Sequence, residues 1–370
     1  MIDLSLESAR KLVENLDANI LEQDTGEPHF KDPNVKPFPL EKEGFRLIKE
    51  VKSGRRLAFV DGGNQQIIGA PNFSIQLNRV HTCIWDGKEK INLSLPRIEF
   101  FSATYSTFKN DEIYFETILI PAAPEFKKYL PAARNLSFNS FERSIMNGNQ
   151  RADIERVASI ARRFAEWKFA SIITEFLSQG DILVMDGTLQ TSFKNESIYL
   201  QGLERASKKQ GVILSGLSKT SALFTTTGQS LLGAVNKLSE DYNIKREWYY
   251  PIAESMSKDH NVIMLAVKLN PSAERIFRYE IQRDQFKALS ELQLNETLTE
   301  LVKNSTDITM PGYPYGLLDV DRFARVSVNE LEYYRGIILS QISKIGKLGK
   351  FARHMRANDA HNIMNMLVRK

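Results

Sequence analysis

Apolar residues recur along this chain either at a helical period or in short unbroken runs. Between residues 152 and 179 they form one stripe from Ile154 to Phe176, which predicts an amphipathic helix. Gly180 ends this helix, and the apolar run Ile182–Met185 predicts a buried strand directly after it. The same period predicts further helices over residues 3–23, 197–209, 228–240 and 284–303, and from about 328 onward.

Short apolar runs predict the strands. The segment "RLAFVD", residues 56–61, predicts a strand that ends in an Asp-Gly-Gly turn, and an antiparallel meander follows it. Because strands then alternate with helices, the sequence predicts an α/β fold with a mixed sheet flanked by helices, extra strands and a helical C-terminal extension. Other strands are predicted in "GVILSGL" and over residues 262–268 and 276–281, and loops over the proline-rich residues 24–44 and over 307–321.

The composition is that of an ordinary folded protein. Of the 370 residues, 42% are hydrophobic and 25% are charged, and the net charge of +4 permits a nucleic-acid partner without requiring one. Cys83 is the only cysteine, so the sequence excludes an internal disulfide and a zinc site made of several cysteines. The N-terminus does not resemble a signal peptide, and no apolar run reaches the roughly 18 residues that span a bilayer. We therefore expect a soluble, cytoplasmic protein.

Two predicted strands end in an aspartate that glycine follows. Asp61 closes "LAFVDGG" and Asp186 closes "ILVMDGT". A strand fixes the position of such a carboxylate, and two of them on neighbouring strands, with a third acid, would hold Mg²⁺ or Mn²⁺ to activate water at a phosphodiester. The alternative is ordinary: Asp-Gly is a common turn dipeptide, and the spacing alone does not decide between the two. A phosphatase of the haloacid dehalogenase type ranks last among the alternatives, because Val184 stands where its nucleophilic aspartate would be.

The third acid is predicted on the helix that precedes the Asp186 strand. Glu166 lies in a part of this helix that is apolar nearly all round, so we expect it to be partly buried and to need a cation. The alternative is a surface ion pair with Arg162 or Arg163 at helical spacing. Other candidates for this acid are Glu99, Glu116 and Glu155.

Further residues are candidates for contact with nucleic acid. Tyr313 and Tyr315 lie in a Gly/Pro-rich loop that is placed to meet a DNA strand. His260 is interpreted as a surface or capping residue, with a general acid/base role as the alternative. The basic residues of the C-terminal segment suit either a solvated helical face or a phosphate-contacting surface, and they are Lys344, Lys347, Lys350, Arg353, Arg356, Arg369 and Lys370, against the single acid Asp359.

Four motifs, in this order, resemble those of the NurA nucleases. They are "FVDGGN", "RRFAEW…GDILVMDGTL", "GLSKTS" and "PGYPYGLLDVDRFARVS", and the resemblance runs from about residue 55 to 330. It implies an RNase H-like core, a homodimer and Mn²⁺-dependent (or Mg²⁺-dependent) cleavage of DNA, as a 5′–3′ exonuclease and single-strand endonuclease. It also implies work with HerA, a hexameric ATPase that translocates DNA, in end resection and double-strand-break repair.

The resemblance also implies roles for single residues. Asp61 and Asp186 are metal ligands, Glu166 is the helix-borne acid, and Lys219 lies near phosphate. Asp321 matches a late position where the family carries a metal-binding His or Asp, with Asp319 as the alternative two residues earlier. The chain departs from the family in reading Asp-Gly-Gly instead of Asp-Gly-Ser at Asp61.

The expected organisation is an N-terminal helix and loop (1–44), a nuclease domain (45–330) and a basic helical segment (331–370).

Two other functions remain open. A kinase of the actin-like class also places Asp-Gly turns behind strands, and it would use both turns as phosphate loops. A non-catalytic adaptor would only dock on a DNA translocase. The sequence has no Walker motif, so an ATP-driven motor would be another protein.

Overall fold

The computed structural model describes residues 2–17 and 24–355. The chain divides into two compact units, of which the first contains Met1–Lys52 and Gly216–Tyr313 and the second contains Ser53–Ser215 and Pro314–Lys370. The domain boundaries at residues 44 and 330 stay a prediction.

Both units contain helices and strands. The helices are α1 (Ile2–Leu16), α2 (Ile154–Ile173), α3 (Glu196–Gln210), α4 (Leu231–Asp241), α5 (Arg283–Ala288), α6 (Glu291–Lys303), α7 (Tyr315–Ala324) and α8 (Val328–Lys344). The strands are β1 (Pro28–His29), β2 (Val35–Pro37), β3 (Arg46–Leu47), β4 (Arg56–Ala70), β5 (Phe73–Asp86), β6 (Glu89–Ile91), β7 (Arg97–Lys109), β8 (Glu112–Pro121), β9 (Phe138–Asn139), β10 (Ile182–Asp186), β11 (Ile213–Ser218), β12 (Phe224–Thr225), β13 (Trp248–Ser257), β14 (His260–Lys268) and β15 (Phe277–Gln282). Among the described helices, none combines the length and apolar character that crossing a membrane requires.

The first unit contains an antiparallel sheet. Its strands follow the order β2, β13, β14, β15, and β3 also pairs with β13. The predicted pair over residues 262–268 and 276–281 is confirmed as β14 and β15. The sequence pattern missed β13 because Pro251 interrupts it, and the register with β14 shifts there.

The second unit contains a mixed sheet. β10 lies parallel to β4, and β5, β7, β8 and β9 follow β4 in antiparallel order, with β6 paired to β5. The start of β11 lies on the other side of β10. This arrangement confirms both the mixed sheet and the predicted meander after the first long strand.

Helices α2 and α7 cover opposite faces of this sheet. Gly62 and Gly63 are neighbours on β4 and so point to opposite faces, and Gly62 meets Glu166 of α2 while Gly63 meets Ala324 of α7. Asp153 caps α2 by accepting a hydrogen bond from the Glu155 N–H. The predicted apolar stripe of α2 is buried, as expected for a helix whose one side packs on a sheet.

The boundaries predicted for residues 284–303 and 307–321 are wrong. The helix predicted over residues 284–303 is two helices, α5 and α6, because Ser290 forms a capping box with Gln293 and starts a new helix there. The loop predicted over residues 307–321 ends earlier, since α7 begins at Tyr315. Pro314 occupies the N-cap, where its missing N–H is tolerated.

The structure describes only part of the helix predicted at the N-terminus and part of the basic C-terminal segment. The helix predicted over 3–23 is α1, and residues 18–23 lie outside the described part. Residues 24–44 contain β1, β2 and a 3-10 turn in addition to the predicted loop. Four of the basic C-terminal residues are exposed, and they are Lys344, Lys347, Lys350 and Arg353. Arg356, Asp359, Arg369 and Lys370 lie outside the described residues.

Candidate metal centre

Asp61 and Asp186 lie side by side in the sheet of the second unit. β4 and β10 are parallel, and Val60 pairs with Met185, so each aspartate is the next residue along its strand. In parallel strands, residues at matching positions point to the same face. The neighbouring strands that the sequence predicted are therefore confirmed, and both carboxylates share one face.

Asp321 completes a group of three carboxylates. One carboxylate oxygen each from Asp61, Asp186 and Asp321 lies within 4.8 Å of the others, and all three residues are half-buried. Asp321 comes from α7, which packs against β4 so closely that a Cβ on Gly316 would lie 2.2 Å from the Phe59 ring. Close packing of this helix on the strand thus brings the third acid to the first two.

The glycines after Asp61 do not form the predicted turn. β4 continues through Gly62 and Gly63 to Ala70, so the prediction that the strand ends at Asp61 is wrong. A Cβ on Gly62 would lie 2.3 Å from Glu166 Oε1, and one on Gly63 would lie 2.3 Å from the Ala324 carbonyl oxygen. The glycines are there because helices approach both faces of the strand. At Asp186 the prediction is confirmed: β10 ends, and Gly187 has φ +109°.

Glu166 is buried on α2 and is held by two arginines. Arg162 pairs with the Glu166 carboxylate, and its guanidinium also donates to the Gly62 carbonyl at 3.0 Å and to Asn64 Oδ1 at 3.0 Å. Arg163 Nη1 lies 3.5 Å from Glu166 Oε2. The expected burial is present, and the paired cations are the two arginines of the alternative, in a buried pair instead of a surface one. Arg162 also ties the acid to the strand that carries Asp61.

Arg163 connects Glu166 to the segment that follows Asp186. Its Nη2 donates to the carbonyls of Thr188 and Gln190 at 3.3 Å, just after the turn at Gly187, and its Nε donates to Glu196 at 3.0 Å. The sequence indicated both arginines only as ion-pair partners of Glu166. Their contacts with the two aspartate-bearing segments depend on the tertiary fold and have no sequence signal.

Glu166 feels the charge of Asp186 without belonging to the group of three carboxylates. Burial raises the pKa of the Glu166 carboxyl above its ordinary value, the charges of Arg162 and Arg163 oppose this effect, and the charge of Asp186 adds to it. Its role as a metal ligand stays a prediction.

The structure distinguishes Asp321 from Asp319. The Asp319 carboxylate accepts a hydrogen bond from Lys90 Nζ at 2.6 Å, and Asp321 lies on another side of α7. Arg325, one turn further along, reaches Asp321 Oδ2 at 2.5 Å. Of the two aspartates that the sequence offered, only Asp321 joins Asp61 and Asp186.

The other candidate acids have different neighbours. Glu99 pairs with Arg79 at 2.6 Å and Glu116 with Lys109 at 2.8 Å. Glu155 lies in the first turn of α2, where burial raises the pKa of its carboxyl. None of the three belongs to the acidic group of the described residues.

The residues predicted to contact DNA are found in both units. In the first unit Tyr313 is fully buried against Phe277, and the exposed Lys219 places its Nζ 5.9 Å from the Tyr313 ring centroid. Burial leaves Tyr313 no surface for a nucleobase. In the second unit Tyr315 begins α7, packs against Trp85, and donates its hydroxyl to the Gly87 carbonyl at 3.2 Å.

The histidines also differ from their predicted positions. His260 is buried in the first unit, with Nε2 3.0 Å from Glu280 Oε2, so its interpretation as a surface residue is wrong. His81, which no sequence pattern indicated, is the cross-strand neighbour of Asp61. No described residue hydrogen-bonds to its ring nitrogens, and burial lowers its pKa to about 4, so the ring is neutral at pH 7.

The donor set fits a hard divalent cation. Asp61, Asp186 and Asp321 offer carboxylate oxygens, which are the ligands that Mg²⁺ and Mn²⁺ prefer. The nearby sulfur is no ligand, because burial raises the pKa of the Cys83 thiol to about 12 and its Sγ lies 3.5 Å from the Gly316 carbonyl. The chemistry of the site therefore favours Mg²⁺ or Mn²⁺ over zinc.

Comparison with solved structures identifies a similar fold. The crystal structure of the NurA nuclease from Sulfolobus solfataricus aligns with a TM-score of 0.54 at 13% identity, over 93% of this chain and 97% of that one. Two structures of Argonaute from Aquifex aeolicus align at TM-scores of 0.29 and 0.31, with 9% and 10% identity, over 74% and 73% of this chain and 28% of each of theirs. These two are too dissimilar to bear on the fold. No curated protein sequence matches the chain.

A family model of the NurA domain matches residues 55–326. The match covers well over half of the 370 residues and includes Asp61, Glu166, Asp186 and Asp321. The resemblance stated from the motifs is confirmed, and this chain belongs to the NurA domain family.

Proposed function

We propose that this protein is a DNA nuclease that depends on a divalent metal and is built on an RNase H-like core. The observation that carries the proposal is the approach of Asp61, Asp186 and Asp321 to within 4.8 Å in a chain of the NurA family. Carboxylates this close repel one another unless a cation joins them. The parallel pair β4 and β10, flanked by α2 and α7, supports the RNase H-like assignment.

Each acid has a role in the proposed reaction. Asp61, Asp186 and Asp321 hold the metal, Mn²⁺ or Mg²⁺, and Glu166 supplies the acid from the helix side. Bound there, the cation would lower the pKa of a water molecule and stabilise the charge on the leaving oxygen of the phosphodiester. Arg162 and Arg163 keep Glu166 in place between the two aspartate-bearing segments.

The DNA contacts and partners in the proposal follow from family membership. Lys219 would neutralise a phosphate, and Tyr315, on the helix that carries Asp321, would contact the DNA strand. The buried Tyr313 would contribute only by packing within the protein. We further propose a cytoplasmic homodimer that digests DNA ends, as a 5′–3′ exonuclease and single-strand endonuclease, together with a HerA-type hexameric ATPase in double-strand-break repair. The absence of a Walker motif supports a separate motor.

A cleavage assay on end-labelled single- and double-stranded DNA tests the proposal. Wild-type protein should cleave with Mn²⁺ or Mg²⁺ and not with EDTA. Asp61→Asn should lose at least about 100-fold in rate, because even indirect partners of metal ligands typically contribute 10- to 100-fold. Calorimetry should show that the same variant loses Mn²⁺ binding.

Asp86→Asn is the matched control. Asp86 is an exposed carboxylate on β5 that pairs in register with Arg56, five residues from Asp61 along β4, or about 17 Å. Its activity should equal that of wild type. Full activity of Asp61→Asn would refute the site. A wild-type protein that binds a HerA-type ring but does not cleave DNA with any metal would instead be the non-catalytic adaptor.

The kinase alternative loses support. It requires a phosphate loop after each Asp-Gly strand, and β4 continues without a loop through Gly62 and Gly63.

A further inference from the structure

Phe323 is an exposed aromatic ring on the helix that carries Asp321. Its side chain is 43% exposed, although it is large and apolar. The His81 ring lies against it, with the two centroids 5.1 Å apart and the planes inclined by 36°. Because His81 is itself buried, the sheet supports the Phe323 ring where the two rings meet, and part of the Phe323 side chain is open to solvent.

Two cations surround this ring. Lys90 Nζ lies 5.2 Å from the Phe323 centroid, and the Arg322 guanidinium carbon lies 6.0 Å from it. Asp319 pairs with Lys90, which leaves one net positive charge among the three. A supported aromatic ring with flanking positive charge is the arrangement that proteins use to stack a nucleobase beside a neutralised phosphate. We call Phe323, His81, Lys90 and Arg322 the Phe323 platform.

The platform and the three carboxylates lie on opposite flanks of α7. Successive residues of a helix turn by 100°, so Phe323 points about 200° away from Asp321. Asp321 reaches the strands β4 and β10, whereas Phe323 lies over His81 of β5 and beside Lys90 of β6. His81 of the platform is the cross-strand neighbour of Asp61, so the platform adjoins the carboxylates and one DNA strand can reach both.

We infer that the Phe323 platform stacks one unpaired nucleobase of the DNA strand whose phosphate lies at the carboxylates. The inference rests on the proposed nuclease function and adds to it a preference for unpaired DNA. In a duplex each base is paired and stacked between its neighbours, so its flat face is not available to Phe323. The platform therefore selects a single-stranded or frayed end.

Binding of fluorescent single-stranded DNA in EDTA, measured by anisotropy, tests this without cleavage. Phe323→Ala should weaken binding about 5- to 150-fold, the range for loss of one base–aromatic stack, while Phe323→Trp retains it. The slope of log Kd against log salt should stay unchanged, because Phe323 contacts no phosphate. Duplex binding should change little.

Phe176→Ala is the matched control. Phe176 is 50% exposed and precedes β10, at the end of that strand opposite to Asp186. It should bind DNA as wild type does. Equal losses in Phe176→Ala and Phe323→Ala would overturn the platform, and so would wild-type affinity in Phe323→Ala.

A second measurement needs no protein variant. A single abasic site moved along the oligonucleotide should weaken wild-type binding most at one position, and that loss should vanish in Phe323→Ala. An equal effect at every position would overturn the platform. If wild-type protein binds single-stranded DNA but the abasic scan is flat, the nuclease proposal stands and the platform does not. If wild-type protein binds no DNA in EDTA and none when Ca²⁺ replaces the EDTA, both are wrong.

Discussion

The strands β4 and β10 carry the same Asp-Gly dipeptide at the same edge of the site, and the two glycines serve different purposes. After Asp61 the chain stays extended for nine more residues, and both glycines have helix atoms against them. After Asp186 the strand ends, Gly187 adopts φ +109°, and no atom lies within 4 Å of the Cβ it lacks. The glycines after Asp61 allow two helices to pack closely on the strand, and the glycine after Asp186 allows a turn.

This difference teaches that a glycine beside a functional carboxylate has two separable physical causes. At β4 the constraint is steric and lies in α2 and α7, which are remote in sequence. At β10 the constraint is the local backbone dihedral angle. Substitution by alanine separates the two, since a side chain clashes in the first case and strains the backbone in the second.

Gly63→Ala should have the largest effect. Its Cβ would meet the Ala324 carbonyl oxygen at 2.3 Å, and a backbone atom cannot rotate away as a side chain can. We expect a loss of about 3 kcal/mol in the free energy of unfolding, at the upper end for overpacked sites. The displacement of α7 should also move Asp321 and lower Mn²⁺ affinity, which urea denaturation and calorimetry would measure.

Gly202→Ala is its control. Gly202 lies within α3, where a Cβ would meet no atom within 4 Å, so alanine should stabilise the protein by about 0.5–1 kcal/mol. A Gly63→Ala variant as stable as wild type would show that α7 does not press on β4.

Sequence periodicity was sufficient for the elements that depend on local pattern. The stripe of α2 and the run Ile182–Met185 gave a helix and a strand where they occur, and the antiparallel meander was confirmed. The approach of Asp61 to Asp186 was one of two interpretations of their Asp-Gly dipeptides, and the parallel pairing of β4 with β10 brings the two residues side by side. Pro251 concealed β13, because a proline within a strand pattern normally marks its end.

The parts of the site that were missed depend on contacts between distant segments. The sequence placed Asp319 and Asp321 in a loop, where neither is distinguished; on α7 their side chains diverge, and only Asp321 joins the other two acids. Tyr313 precedes this helix and is buried, a result that its Gly/Pro-rich surroundings did not indicate. Burial of this kind depends on tertiary packing, for which a single sequence carries little signal.

Gly187→Ala should have an intermediate effect. No atom would clash with the new Cβ, so only the positive φ opposes the substitution, and we expect a loss of about 1–2 kcal/mol. Urea denaturation beside Gly63→Ala would measure the difference. If Gly187→Ala proves the more damaging of the two, the assignment of a steric cause to β4 and a conformational cause to β10 is reversed.

Glu330→Gln should have the smallest effect, and it should depend on pH. Arg79 pairs in register with Gly63, donates to the Arg325 carbonyl at 2.6 Å and to Glu330 at 2.6 Å, and so fixes the end of α7 over β4. The hydrogen bond from Arg79 lowers the pKa of the Glu330 carboxyl from 4.5 to about 2. The lowered pKa means that this ion pair stabilises the fold fully above pH 4.5 and is lost as the pH falls from 4.5 towards 2.

Urea denaturation between pH 6 and pH 3 measures this contribution. Glu330 is 38% exposed, so solvent screening limits the expected effect to about 1 kcal/mol. Glu330→Gln should cost this amount at pH 6 and progressively less at pH 3, whereas Glu332→Gln, two residues away and 67% exposed, should change nothing at either pH. A Glu330→Gln penalty that is equal at both pH values would mean that packing of the side chain, and not its charge, holds α7 against β4.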